Sequence, residues 1–163
     1  MSTNSPTAHS HGVPIQTRSE RPKSTSVSDF PEIQKSQEIW RYLPIDKLRG
    51  LDAEVISEIS PDEVTLELSQ RVTAEWIDSS DKRVGTAGIP EDRIAAVAWT
   101  NASKTLLVEV PANSESTQPQ VIKIAPGSSE AKALHILVIL QKHSKATVVL
   151  DHVGNGTLAE NVE

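Results

Sequence analysis

The stretch ATVVLDHVGNGTLAENVE, residues 146–163, holds two apolar runs on either side of a short glycine-rich segment. Runs of five or six residues bounded by Gly and Asn are typical of β-strands. Gly154 and Gly156 supply the positive φ that a tight turn needs, so the local pattern predicts a hairpin. Strands are therefore expected at residues 146–150 and 157–162.

Further strands precede this stretch. The runs LLVEV (106–110), VIKI (121–124) and ALHILVILQ (133–141) follow one another with loops and no helical pattern between them. The last run is apolar on both faces at its centre, as in a strand covered on both sides. The second half is therefore predicted to be all-β: a sandwich, barrel or solenoid. No repeat of fixed period is present, so the pattern alone does not select the solenoid.

The first half mixes two kinds of element. EVISEI (54–59), EVTLEL (63–68) and VTAEWI (72–77) predict strands, the second by its period-two alternation. A helix is predicted from Pro90, with acidic residues in its first turn. Residues 36–49 predict two short helices that are separated at Pro44, with Gly50 as a left-handed cap.

Residues 1–35 are rich in Ser, Thr, Pro and charge. Such a composition buries too little apolar surface to offset the entropy of ordering, so it predicts a disordered tail. His9 and His11 lie in this tail. The predicted organisation is a tail at 1–35, a mixed helical and strand region at 36–103, and a β region at 104–163.

Composition excludes several classes of function. The net charge is -6, and no Lys/Arg cluster is present to neutralise phosphates, so a nucleic-acid partner is not expected. Because the sequence has no cysteine, it offers no disulfide, thiolate nucleophile or Cys-bound metal. The N-terminus lacks the apolar segment of a secretory signal. The apolar stretch 133–140 is far shorter than a membrane helix, so a soluble, cytoplasmic protein is predicted.

Histidines are the candidate chemical groups. Asp151 and His152 are adjacent, and adjacent strand residues point to opposite faces, so the pair is interpreted as the end of a strand rather than a catalytic pair. His135, His143 and His152 would form a three-His metal site only if the fold brought them together, and their spacing matches no zinc pattern. No catalytic, cofactor-binding or metal-binding residue is assigned.

Three glycines and one aromatic cluster are further candidates for a binding site. Gly85, Gly88 and Gly127 do not form a phosphate-binding loop or a dinucleotide fingerprint. The densest aromatic and cationic cluster is Trp40, Arg41 and Tyr42. Trp, Tyr and Arg dominate interface hot spots, so this cluster either anchors a partner or fixes the short helix to the sheet. Both interpretations stay open at this point.

Two motifs resemble the SufD family of iron–sulfur cluster assembly subunits, especially its actinobacterial members. In the first motif, EIWRYLPIDKLRGL, the matching residues are Glu38, Trp40, Arg41, Tyr42 and Pro44. In the second motif they are Val148, Asp151, His152, Gly154, Gly156, Glu160 and Glu163. The HGVP stretch at 11–14 is also similar. Leu43 and Leu158 depart from the family pattern, which has Thr and Tyr there.

The resemblance implies a mainly β fold with a small α-helical N-terminal part, leading into the start of a right-handed parallel β-helix that is truncated here. The glycine-rich segment would then be a corner between coils and not a hairpin. The resemblance also implies a non-enzymatic scaffold subunit that pairs with a SufB-like subunit and a SufC-like ATPase. The part that carries the ATPase contact would lie beyond this chain, which would be an N-terminal fragment.

Two alternatives remain beside this interpretation. The chain could be a free-standing β-rich binding module that has no Suf partners. It could also be a small metal-dependent β-barrel enzyme that uses His135, His143 and His152. Stoichiometric metal in the purified protein would distinguish the enzyme from the other two.

Overall fold

A computed structural model describes residues 21–154 and 156–163. Over these residues the chain forms one α-helix and eight strands in two sheets. The helix α1 is Arg93–Asn101. The strands are β1 Ser57–Glu58, β2 Val64–Glu67, β3 Thr73–Asp78, β4 Lys104–Val110, β5 Gln120–Ile124, β6 Ala131–Leu140, β7 Val148–His152 and β8 Thr157–Val162. The prediction of a mainly β fold is confirmed.

The strands from β4 onward alternate between the two sheets. The first sheet pairs β3 antiparallel with β4, and then β4, β6 and β8 parallel to one another. The second sheet pairs β2 antiparallel with β5, and β5 parallel with β7. Because β7 and β8 lie in different sheets, the glycine-rich segment between them is a corner. The hairpin prediction is therefore wrong.

The main core lies between the two sheets. Alternate residues of β4 and β6, among them Leu106, Val108 and Ile136, face Ile122 and Ile124 of β5, and all are at most 1% exposed. Burying an aliphatic side chain of this size contributes about 1.5–3 kcal/mol. The apolar side chains that recur at every second position thus hold the two sheets together.

The other face of the first sheet is covered by α1. The small side chains of Ala96, Val97 and Ala98 are fully buried there, which lets the helix approach β6 and β8 closely. The prediction that β6 is covered on both faces is confirmed. The helix begins at Arg93, later than predicted, because Asp92 is its N-cap and accepts a hydrogen bond from Ala95 N–H at 2.9 Å.

Residues 21–35 pack against this helix layer, although the sequence predicts them to be part of a disordered tail. Val27, Phe30 and Ile33 are 4–7% exposed, and Val27 and Phe30 share a cluster with α1 and Ala159. The remainder of the predicted tail, with His9 and His11, lies outside the described residues. The division into regions 1–35, 36–103 and 104–163 stays a prediction.

Some predicted elements are shorter in the structure. The two short helices are single 3₁₀ turns, Glu38–Trp40 and Ile45–Lys47, because Pro44 interrupts a segment too short to propagate an α-helix. Gly50 has φ +88°, as predicted for a left-handed cap. The predicted strand 54–59 is reduced to β1, which pairs only with Lys132 and Ala133, since β4 occupies that edge of β6 from His135 onward.

Candidate functional site

A row of buried polar side chains crosses the first sheet on the face that α1 covers. Thr105, His135 and Asn161 occupy registered positions in β4, β6 and β8, and they are 0%, 0% and 9% exposed. Buried polar groups cost free energy unless they are hydrogen-bonded, so three in one row mark an unusual part of this apolar sheet. We call Thr105, His135, Asn161 and the neighbouring Glu163 the polar ladder.

His135 is the centre of the ladder. Its Nε2 lies 3.1 Å from Glu163 Oε1 and 3.0 Å from Asn161 Nδ2, and the Trp99 ring of α1 lies 4.5 Å from its ring centroid. Burial lowers the pKa of His135 below 6.5, and the carboxylate of Glu163 only partly opposes this effect. Burial therefore favours the neutral imidazole near pH 7, and its Nε2 faces both a donor, the Asn161 amide nitrogen, and an acceptor, the Glu163 carboxylate.

Glu163 joins the ladder to the loop that precedes α1. Its side chain is 3% exposed, and its carboxylate accepts the Gly85 N–H at 2.8 and 2.9 Å and the Ala87 N–H at 3.3 Å. Gly85 adopts φ +84°, which aims its N–H at the carboxylate. The carboxylate thus binds a backbone loop and a histidine simultaneously.

An open cleft of about 400 Å³ lies beside the ladder. Its walls combine basic and acidic side chains with backbone of the loop. The lining residues are Arg21, Lys23, residues 87–92, Ala95, Asn161, Val162 and Glu163. Lys23 and Glu91 form an ion pair at 3.0 Å across this surface. The cleft carries both signs of charge, so it has no simple preference for anions or cations.

The sequence-predicted histidines are not brought together. His152, at the exposed end of β7, places Nε2 3.1 Å from Glu160 Oε2, and His143 lies in a turn with φ +60°. Burial raises the pKa of Glu160, and His152 opposes that rise. Within 21–154 and 156–163 no group of three or more His, Asp or Glu side chains is arranged to hold a metal ion. The three-His enzyme alternative therefore has no support in this part of the chain.

Gly127 and two residues of the aromatic cluster, Trp40 and Tyr42, can be placed in the structure. Gly127 N–H donates to the carboxylate of Glu63 rather than to a phosphate. Trp40 is half-buried and lines an apolar groove of about 200 Å³ with Pro22, Phe30 and Pro31. Tyr42 is 91% exposed. Trp40 thus lies beside the N-terminal segment across this groove, whereas Tyr42 is exposed to solvent.

The sequence analysis considers His135 only as a possible metal ligand and Glu163 only as part of a family motif, and it gives no role to Thr105, Asn161 or Trp99. Period-two alternation along β8 places Asn161 and Glu163 on the same face as the buried Ala159, and this signal could have found them. The contact of Glu163 with Gly85 spans 78 residues, and no local pattern reports it.

The fold and site define a β-rich protein of two packed sheets, with a helix on one sheet and parallel strands that alternate between the sheets. No family model matches the chain, and no solved structure matches it. The curated relatives are more informative. The chain is 32% identical over 141 residues to "Iron-sulfur cluster assembly SufBD family" proteins of Mycobacterium tuberculosis and Mycobacterium bovis, which covers 86% of this chain and 36% of each relative.

A relative of the same description from Mycobacterium leprae is 35% identical over 129 residues, covering 77% of this chain and 32% of the relative. The chain belongs to the iron–sulfur cluster assembly SufBD family. It spans about a third of the length of these relatives.

The residues that the structure describes do not form a set that would ligate an iron–sulfur cluster. The sequence has no cysteine, and the described histidines are dispersed among β6, a turn and β7. The iron atoms of such clusters are usually ligated by cysteine thiolates. No α-helix in the described ranges is long and apolar enough to cross a bilayer.

Proposed function

We propose that the chain acts in iron–sulfur cluster assembly as the N-terminal portion of a SufD-like, non-catalytic scaffold subunit in a SufBCD-type complex. The observation that carries the proposal is the 32% identity over 141 residues to SufBD family proteins. The relatives are described as iron–sulfur cluster assembly proteins, which suggests the process, and the two SufD-like motifs favour SufD over SufB.

The strand order supports the scaffold part of the proposal. Parallel pairing of β4 with β6, of β6 with β8 and of β5 with β7 stacks each strand on the one two elements earlier. Continued repetition of that path would build a parallel β-helix, whose right-handed form the family implies. We propose that these strands are its first coils.

The partners follow from the family and not from a visible contact. A SufB-like subunit and a SufC-like ATPase are the proposed partners, and the cytoplasm is the proposed compartment. The iron–sulfur cluster would be cargo, and its ligands would come from other parts of the complex, since this sequence has no cysteine.

The test is affinity purification of the gene product, tagged at its N-terminus in its own genome. We expect SufB-like and SufC-like proteins to copurify in stoichiometric amounts, and the intact mass to exceed 17.7 kDa. Depletion should lower the activity of iron–sulfur enzymes. Copurification without either Suf protein, together with unchanged iron–sulfur enzyme activity after depletion, would overturn the proposal.

A further inference from the structure

We propose that the polar ladder is a proton-operated latch: proton uptake at His135 releases the loop that holds Gly85 and Ala87 from Glu163 and exposes Trp99. The loop comprises residues 79–92, between β3 and α1. This inference concerns conformational control, and it does not depend on the proposed scaffold function.

The closed state is defined by a small set of contacts. Glu163 holds the loop through Gly85 N–H and Ala87 N–H, and it holds His135 through Nε2. A Cβ at Gly85 would approach Trp99 to 3.3 Å, so the loop packs directly against the tryptophan that covers His135. Release of the loop from Glu163 would therefore uncover Trp99 and then His135.

The closed state accommodates a neutral imidazole better than an imidazolium. His135 Nδ1 and Thr105 Oγ1 are both buried without a hydrogen-bond partner, although the two residues are registered neighbours. An imidazolium carries a proton on both nitrogens, so its Nδ1–H would be a buried charged donor without a partner and its Nε2–H would face the Asn161 amide nitrogen, which is costly. Burial lowers the pKa of His135 for the same reason. In an open loop the ring would be hydrated and would bind the proton normally.

The other charged groups around the ladder are engaged elsewhere. On the loop, Arg83 pairs with Asp81 at 2.9 Å and with Glu75 of β3 at 3.3 Å. On α1, Arg93 donates to main-chain carbonyls of the N-terminal segment and Asp92 caps the helix.

The charged side chains of the strands around His135 also point or pair away from it. Lys132 of β6 pairs with Glu63, Glu160 of β8 pairs with His152 on the opposite face, and Lys104 of β4 is exposed. Among the described residues, Glu163 is the charged side chain in contact with His135.

The sign and size of the effect follow from linkage. The open state binds more protons than the closed state between pH 6.5 and the lower pKa of closed-state His135. Opening is therefore favoured as the pH falls through this window, by at most about tenfold per pH unit for one proton. Above pH 6.5 the opening equilibrium should be independent of His135.

The experiment measures loop opening from pH 8 to pH 5 in the 163-residue chain. Trp40→Phe and Trp76→Phe leave Trp99 as the single tryptophan, and acrylamide quenching of its fluorescence lifetime reports its exposure. Amide exchange at Gly85 and Ala87, corrected for base catalysis, reports release from Glu163. We expect both signals to increase together below pH 6.5.

Matched variants assign the effect. His135→Gln keeps a donor for Glu163 but cannot titrate, so opening should lose its pH dependence. His152→Gln and Glu160→Gln alter the second His–Glu pair and should leave the pH dependence as in the parent protein. If His135→Gln does not fold, the pH at which opening levels off must match the pKa of His135 from ring ¹⁵N NMR. A pH-independent opening, or a pH dependence retained by His135→Gln, overturns the proposal.

Discussion

Arg93 Nη1 donates a hydrogen bond to the main-chain carbonyl of Phe30 at 2.9 Å, across 63 residues of sequence. The same side chain reaches Val27 O at 3.3 Å and Asp52 O at 3.1 Å, and it is 8% exposed. One guanidinium thus ties two segments of irregular backbone to the start of α1. Its five fixed donors suit this task in a way that a lysine would not.

Replacing Arg93 with Met should lower the free energy of unfolding by about 2–4 kcal/mol, since two buried carbonyls and one part-buried carbonyl lose a charged donor. Met retains most of the apolar stem, so the loss reflects the polar contacts: the three hydrogen bonds and the 3.9 Å ion pair with Glu54. Urea unfolding measures the change. Arg41→Met, at an exposed position, is the control and should shift stability by less than about 0.5 kcal/mol. Equal effects of the two substitutions would contradict the anchoring role.

Gly85→Ala should destabilise the loop over Trp99. A β-carbon at φ +84° costs about 1–2 kcal/mol, and here it also presses on the tryptophan ring at 3.3 Å. Gly88→Ala is the control, because a β-carbon there meets nothing within 4 Å. We expect faster amide exchange at Ala87 and increased quenching of Trp99 in Gly85→Ala only. Similar exchange rates in the two variants would show that the loop does not need glycine at position 85.

Sequence patterns predicted the strands well where burial alternates. β2, β3, β5 and β8 fall within a residue or two of their predicted bounds because each has one covered face. β6 is predicted to be covered on both faces because the centre of its run is apolar on both faces rather than alternating. The local pattern failed at the corner between β7 and β8, because Gly-Asn-Gly suits a hairpin and a corner equally. Only the family resemblance favoured the corner.

The remaining differences arise from long-range contacts. Val27 and Phe30 are isolated apolar residues in a Ser- and Pro-rich segment, and their burial depends on α1 and Arg93, far away in the sequence. His135 and Glu163 are 28 residues apart, and they meet because β6 and β8 pair in parallel at a particular register. Register of this kind is set by tertiary packing, which a single sequence does not report.

Gln120 should be among the least replaceable polar residues. It is 0% exposed and its amide makes four hydrogen bonds. Oε1 accepts hydrogen bonds from Ser69 N–H and Ser69 Oγ, and Nε2 donates to Ser116 Oγ and Gln118 O. Both lone pairs of the amide oxygen and both N–H groups of the amide nitrogen are therefore used. Gln120→Leu would remove all four bonds at once and would leave the part-buried Ser69 N–H without this acceptor.

We expect Gln120→Leu to reduce the free energy of unfolding by about 2–4 kcal/mol in a urea titration. Gln141→Leu is a matched control, since Gln141 is exposed and bonds only through its amide nitrogen to Glu109 among the side-chain contacts found in the described residues. A Gln120→Leu variant as stable as Gln141→Leu would mean that water replaces the missing bonds.

Glu63 should contribute stability that is lost in acid. Burial raises its pKa, but hydrogen bonds from Lys132 Nζ, Gly127 N–H and Ser60 N–H outweigh burial, so the pKa falls below 4.5. A carboxyl whose folded pKa is depressed stabilises the fold fully above its unfolded pKa and loses that contribution as pH falls through the folded pKa.

The comparison of Glu63→Gln with the parent protein tests this sign. At pH 7 the variant should be less stable by about 1–3 kcal/mol, because a buried ammonium on Lys132 loses its counter-charge. The difference should begin to shrink below pH 4.5 and should be smallest where both Glu63 and its replacement are neutral. Glu67→Gln, on the exposed face of β2, is the control for general charge effects. A stability difference that stays constant from pH 7 to pH 3 would contradict this explanation. It would show that hydrogen-bond geometry, rather than the ionised carboxylate, holds Gly127 and Lys132 in place.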